Sequence, residues 1–150
     1  MNYRTDIFTV CAMSIIAVLL TLATVRAEQK QEFGDYEVHY IALPTTVLQP
    51  EIAKQFGLVR SKTSGFLNIS VFKNMPDGQK QPVAAFIRGK IKNLQQQQRN
   101  LEFTRINEGK HVYQVANFWY SQGELMTFTL DIQADPNAAP FAMKFSQALY

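Results

Sequence analysis

Cysteine is nearly absent from this 150-residue chain: Cys11 stands alone, inside an apolar run near the N-terminus. A single cysteine closes no internal disulfide, and from residue 28 onward no thiolate is available to a metal. Histidine is scarce as well. His39 and His111 lie far apart, and no HxH or HxxxH spacing draws ligands together. Basic runs are missing, and 15 Lys and Arg stand against 12 Asp and Glu, so nucleic acid is not an expected partner.

The motifs of common catalysis are missing too. No GxSxG elbow marks a nucleophile, and no carboxylate pair announces a glycosidase. The acids Asp35, Glu37 and Asp131 fall in strand or turn positions. "GLVRSKTSG" at residues 57–65 comes nearest to a phosphate loop, with Gly57 followed by Leu-Val-Arg-Ser and then Lys62-Thr63. A P-loop needs a second glycine before the lysine, and it runs from strand to helix. Here the glycine is missing and the order is reversed. The expectation is a non-enzymatic protein with no cofactor and no metal.

What is present begins with a leader. Arg4 precedes an apolar run from about Ile7 to Ala23, and Val25-Arg26-Ala27 follows, with a small residue at the cut and a tolerable Val25 two before it. Residues 1–27 read as a signal peptide cut after Ala27, giving an exported, periplasmic protein. The alternative is an uncleaved anchor, since roughly 17 apolar residues approach the length that spans a bilayer. Cys11 sits within the run rather than at its end, so lipidation is not expected there. Cleavage removes two basic residues and one acidic residue and leaves residues 28–150 at +2. That length supports a core without staples.

Residues 28–150 read as one β-domain. Period-two alternation marks "DYEVHYI", "GFLNISVF", "PVAAFIRGKI", "LEFTRI", "ELMTFTLDI" and "FAMKF" as strands with one face on a core. "HVYQVANFWY" is apolar on both faces, as in a central strand or one whose outer face meets something. Turn signals such as "NMPDGQKQP", "NEGK" and "SQGE" punctuate these runs, and "QQQQ" at 95–98 reads as a polar hairpin tip. The fold class is an all-β, immunoglobulin-like antiparallel sandwich of about seven strands. One short helix is expected at "QPEIAKQFG", with Pro50 in its first turn and Gly57 past its end, crossing between sheets.

Two stretches are candidate binding surfaces. Arg60, Ser61, Lys62 and Thr63 form a basic, hydroxyl-lined loop suited to an anionic group or a partner's carboxylate. The plainer reading is solvated charges that keep a strand edge from pairing. Phe118, Trp119 and Tyr120 are three successive aromatics, which cannot all face one way on a strand. They make an interaction rim, or a buried Trp119 flanked by Phe118 and Tyr120 at the edge.

The order "FGDYEVHY", "LQPEIAKQFGLVRSKTSGFLNISV", "GKIKNL" and "INEGKHVYQVANF" resembles a family of short exported proteins of Gram-negative bacteria, catalogued as domain of unknown function 4426. The likeness covers residues 28–149, and its most specific piece is Phe56-Gly57-Leu58-Val59-Arg60-Ser61-Lys62. The resemblance implies a periplasmic address and an immunoglobulin-like sandwich, and it brings no activity. The expected function is a binding or interaction module of the cell envelope, with an unknown envelope protein or a small anionic ligand as its partner. The alternatives are a small-ligand carrier or envelope enzyme, and a membrane-tethered spacer if the leader is retained.

Overall fold

A computed structural model describes residues 29–150; the leader and its cleavage site lie outside them. Among the described residues ten strands form, rather than about seven, together with one 3-10 turn and one short helix. They are β1 (Lys30–Phe33), β2 (Tyr36–Pro44), β3 (Ser64–Asn74), β4 (Lys80–Val83) and β5 (Phe86–Lys92). β6 (Gln98–Leu101), β7 (Phe103–Glu108), β8 (His111–Trp119), β9 (Leu125–Gln133) and β10 (Phe141–Ala148) follow. All pairings are antiparallel, and the strands make two sheets. The first has the order β1-β2-β3-β8-β7, with β4 on β3 beyond the end of β8; the second has the order β10-β9-β5-β6.

The alternation read from the sequence fixes the core. Val38 and Ala42 of β2, Leu67 and Ile69 of β3, and Ala116 and Phe118 of β8 turn inward from the first sheet. Ile87 and Ile91, with Phe128, Leu130 and Ile132 of β9, meet them from the second. Phe128 is fully buried, edge-on to Phe118 at 5.2 Å between ring centroids and stacked on Phe145 at 4.7 Å. Phe118 needs room across the ladder, and β3 supplies it at Gly65. A Cβ there would stand 2.5 Å from Phe118 Cζ.

Two segments read as single strands prove to be sheet switches. "PVAAFIRGKI" is β4 in the first sheet and β5 in the second, joined through Ala84–Ala85. "LEFTRI" passes from β6 to β7 at Glu102 in the same way. The crossing at Ala85 exposes a backbone carbonyl inside the protein. Buried Gln114 satisfies it, its Nε2 donating to Ala85 O at 2.8 Å. An uncompensated carbonyl there would cost about 1–3 kcal/mol.

The helix forms where the sequence placed it, as α1 (Pro50–Gln55), but it does not cross between sheets, because β2 and β3 are neighbours in one sheet. Pro50 opens the first turn. Gly57 ends the helix at φ +66°, Gly57 N–H donating to Lys54 O (3.1 Å) and Leu58 N–H to Ala53 O (2.8 Å). That pattern is a Schellman stop, which needs a residue in the left-handed region and favours glycine. Ala53 and Leu58 then pack on Phe66 and Val115 on the outer face of the first sheet. This second small core explains why β8 is apolar on both faces: it is a central strand covered on both sides.

Candidate functional site

The Arg60–Thr63 loop is built around one buried hydroxyl. Thr45 is fully buried, and Ser61 N–H donates to its Oγ1 at 3.0 Å. Its single proton faces the carbonyls of Val59 (2.9 Å) and Ser64 (3.0 Å). Arg60 donates to Thr46 O at 3.0 Å, and Thr63 N–H donates to Ser61 Oγ at 3.3 Å. Backbone and hydroxyl groups are thus largely engaged within the loop. The Arg60 and Lys62 side chains stay exposed at its surface.

The structure joins the two candidate stretches. Ser64 pairs with Trp119 across the β3–β8 ladder, and Tyr120 N–H donates to Thr63 O at 3.0 Å. Phe118 and Tyr120 point into the core, and burial raises the Tyr120 phenol above its ordinary pKa. Trp119 is 52 % exposed, so the alternative of a buried Trp119 with edge aromatics is reversed. Of the three aromatics, the tryptophan is the one left at the surface.

Trp119 lines an open groove of about 440 Å³ at this end of the sandwich. Its other walls include Asn93, Gln95, Gln97, Arg99 and Glu124. The "QQQQ" stretch therefore contributes as the tip of the β5–β6 hairpin. Asn93 and Gln97 brace the tip, Asn93 Nδ2 donating to Gln97 Oε1 at 2.9 Å, and Gln96 takes the left-handed conformation at φ +66°. On the far wall, Ser121 N–H donates to Glu124 Oε2 at 2.8 Å. Leu94 and Tyr150 are also exposed close by in the chain or fold, Tyr150 lying against the turn at Gly123. An indole, several amides and one charge of each sign make a surface that can hydrogen-bond and stack, with no nucleophile–base pair among these residues.

Sequence reasoning passed over a second constellation. Glu37 of β2 has a side chain only 4 % exposed, on the outer face of the first sheet. Lys80 of β4 donates to its Oε1 at 2.6 Å, Lys30 of β1 reaches Oε2 at 3.4 Å, and His39 Nε2 lies against Oε1. The Lys80 hydrogen bond is the main reason the Glu37 pKa falls to about 2; burial opposes the shift, while His39 and the Lys30 charge add to it. The members are 2, 7 and 43 residues from Glu37, so no sequence spacing marks the cluster. His111 takes no part and lies beside Tyr113. Among the described residues no three His, Cys, Asp or Glu side chains are grouped as a metal would require.

Comparison with known proteins places the fold. A crystal structure of a DUF4426 family protein from Pseudomonas aeruginosa PAO1 is 34% identical over 84% of this chain and 97% of its own, with a TM-score of 0.70. A copper-bound variant of FetP from uropathogenic Escherichia coli strain F11 is similar at 14% identity, covering 81% of this chain and 94% of its own, TM-score 0.56. An as-isolated FetP expressed in the Escherichia coli periplasm matches over 81% and 93%, also at 0.56. No curated protein matches the sequence. The family model described as "Domain of unknown function (DUF4426)" matches residues 30–150, and the chain belongs to that family.

Proposed function

We propose that this protein is a non-enzymatic binding module of the bacterial cell envelope, exported to the periplasm, which takes its partner at the groove beside Trp119. The carrying observation is Trp119 itself, 52 % exposed between two buried aromatics and facing an amide-lined hollow. Exposed tryptophan at a concave surface is the residue type that most often anchors a contact. In this reading the sandwich is immunoglobulin-like, and its end loops carry recognition on a rigid frame. The loop of residues 60–63 adjoins the groove through Tyr120, a groove residue whose N–H donates to Thr63 O, and Lys62 is exposed on that loop. The periplasmic address rests on the leader and on the likeness to FetP.

Photoreactive residues at Lys62 and at Trp119, with crosslinking in intact cells, test the reading. It expects one defined adduct, lost when Gln95 and Arg99 are changed to alanine. Clean monomer at both positions would overturn it. The mass of the released protein checks the address, which requires a chain beginning at residue 28.

A copper carrier is the second reading, favoured by the copper-bound neighbour. On this chain it finds little to use. The carboxylate of Glu37 beside His39 is already held by the ammonium groups of Lys80 and Lys30, which would repel a cation. Equilibration with Cu(II), followed by metal analysis after desalting, is expected to leave no stoichiometric copper.

A further inference from the structure

The outer face of the second sheet carries a charge pattern that the groove does not use. Pairing sets its outward residues in rows. Ala142, Asp131 and Arg88 form one row; Lys144, Thr129, Lys90 and Asn100 the next; Ser146, Thr127, Lys92 and Gln98 the third. Arg88, Lys90 and Lys92 follow one another on β5 at about 6.7 Å, and Lys144 stands two strands away from Lys90, about 10 Å. Four cations face one carboxylate, Asp131. This face alone therefore carries +3, more than the +2 of residues 28–150 together, and the remainder of the domain is slightly acidic. Ion pairs of the described residues gather instead on Glu37 and Glu32, in the other sheet.

Between the cations stand donors: the hydroxyls of Thr127, Thr129 and Ser146 and the amide of Asn100. Arg88, Lys90, Asn100, Thr129 and Asp131 line a shallow hollow of about 560 Å³ in the middle of the face. Phe86 continues the β5 row at its near end and is 60 % exposed, a large apolar side chain without cover. The face is thus basic and donor-rich, with one aromatic at its corner.

We infer that this face docks on an anionic membrane surface, its cations and hydroxyls on lipid phosphate groups and Phe86 at the interface. Lysine and arginine near such a surface contribute additively, and a phenylalanine beside them adds apolar insertion. Single-stranded nucleic acid fits less well, because its binding faces interleave several stacking aromatics with the charges and this one has Phe86 alone. A protein partner fits less well because the face lacks the central apolar anchors that hold protein interfaces.

Residues 29–150 contain both sheets and their core, and without the apolar leader they are suited to vesicle co-sedimentation. Phosphatidylcholine vesicles, with and without phosphatidylglycerol, serve as probes at low salt and at about 150 mM salt. The expected result is binding that requires phosphatidylglycerol and weakens with salt. Combining Arg88→Glu, Lys90→Glu and Lys144→Glu should lower partitioning by about a hundredfold or more. The same charge change at Arg60, Lys62 and Lys110 should lower it far less, and Phe86→Ser should weaken it alone. Glutamine replacements at 88, 90 and 144 give the same ordering if the reversals disturb folding, which circular dichroism reports. Binding indifferent to phosphatidylglycerol, or equal loss in the two triple variants, overturns the inference. Tighter binding to a single-stranded oligonucleotide through the same residues, or full release by free phosphate, overturns it as well.

Discussion

Replacing Glu37 with glutamine isolates one carboxylate whose folded environment differs sharply from water. The side chain keeps its shape while the charge that two lysines and a histidine surround is removed. In the folded protein the Glu37 pKa drops from 4.5 to about 2, chiefly through the Lys80 hydrogen bond. A shift of that size corresponds to about 3 kcal/mol at 1.36 kcal/mol per unit. Lys30 and Lys80 are half exposed and screened by water, which brings the expected contribution nearer 2 kcal/mol. The sign follows from the depressed pKa: the stabilisation is complete above the unfolded value near 4.5 and is lost as pH falls toward 2.

Urea unfolding of residues 29–150, measured at intervals from pH 7 down to pH 2, reads both quantities. The variant is expected to be weaker at neutral pH by about 2 kcal/mol, a fall in melting temperature on the order of 10 °C. Other carboxylates also titrate in acid, so the informative quantity is the difference between the two curves. That difference should close between pH 4.5 and 2, where the parent loses an advantage the variant never had. A gap that stays constant with pH would show that Glu37 acts through packing and would refute the electrostatic account.

Three further outcomes follow from the same structure. Thr45→Val keeps the buried shape but strips Ser61 N–H and the Val59 and Ser64 carbonyls of their partner; it should cost about 1–3 kcal/mol and speed protease cleavage between residues 59 and 63. Gly65→Ala drives a methyl group into Phe118 and should destabilise by about 1–3 kcal/mol in thermal unfolding, with partial recovery when Phe118→Leu is added. Phe128→Ala opens a cavity between the sheets and should cost about 3–5 kcal/mol in urea denaturation.

Much of the architecture was legible because period two reports burial directly. Met126, Phe128, Leu130 and Ile132 alternate in the sequence and are buried in turn, and the stop at Gly57 announced the end of α1. The sheet switches at Ala84–Ala85 and Glu102 stayed hidden for the same reason. A strand that turns from one layer to the other keeps its alternation, since both layers share one core. The candidate site was legible in part: Phe118–Tyr120 stood out as a candidate rim, whereas the glutamine run read as a hairpin tip and not as a wall of a site. Their meeting at one groove depends on hairpin register and on the Tyr120–Thr63 bond, which no local pattern encodes. The Glu37 cluster was invisible because its members are matched across strands far apart in the chain.

Those sheet switches bear on how the domain comes apart. Along the chain, four strands serve the first layer, two the second, two the first again and two the second. No single cut can therefore release one layer intact, and any fragment ends with half a core facing water. A split reporter or a domain insertion divided between the layers has nowhere to fall. Amide exchange in the two central ladders, β3–β8 and β5–β9, should proceed with a common opening energy, because neither sheet can open while the other stays closed.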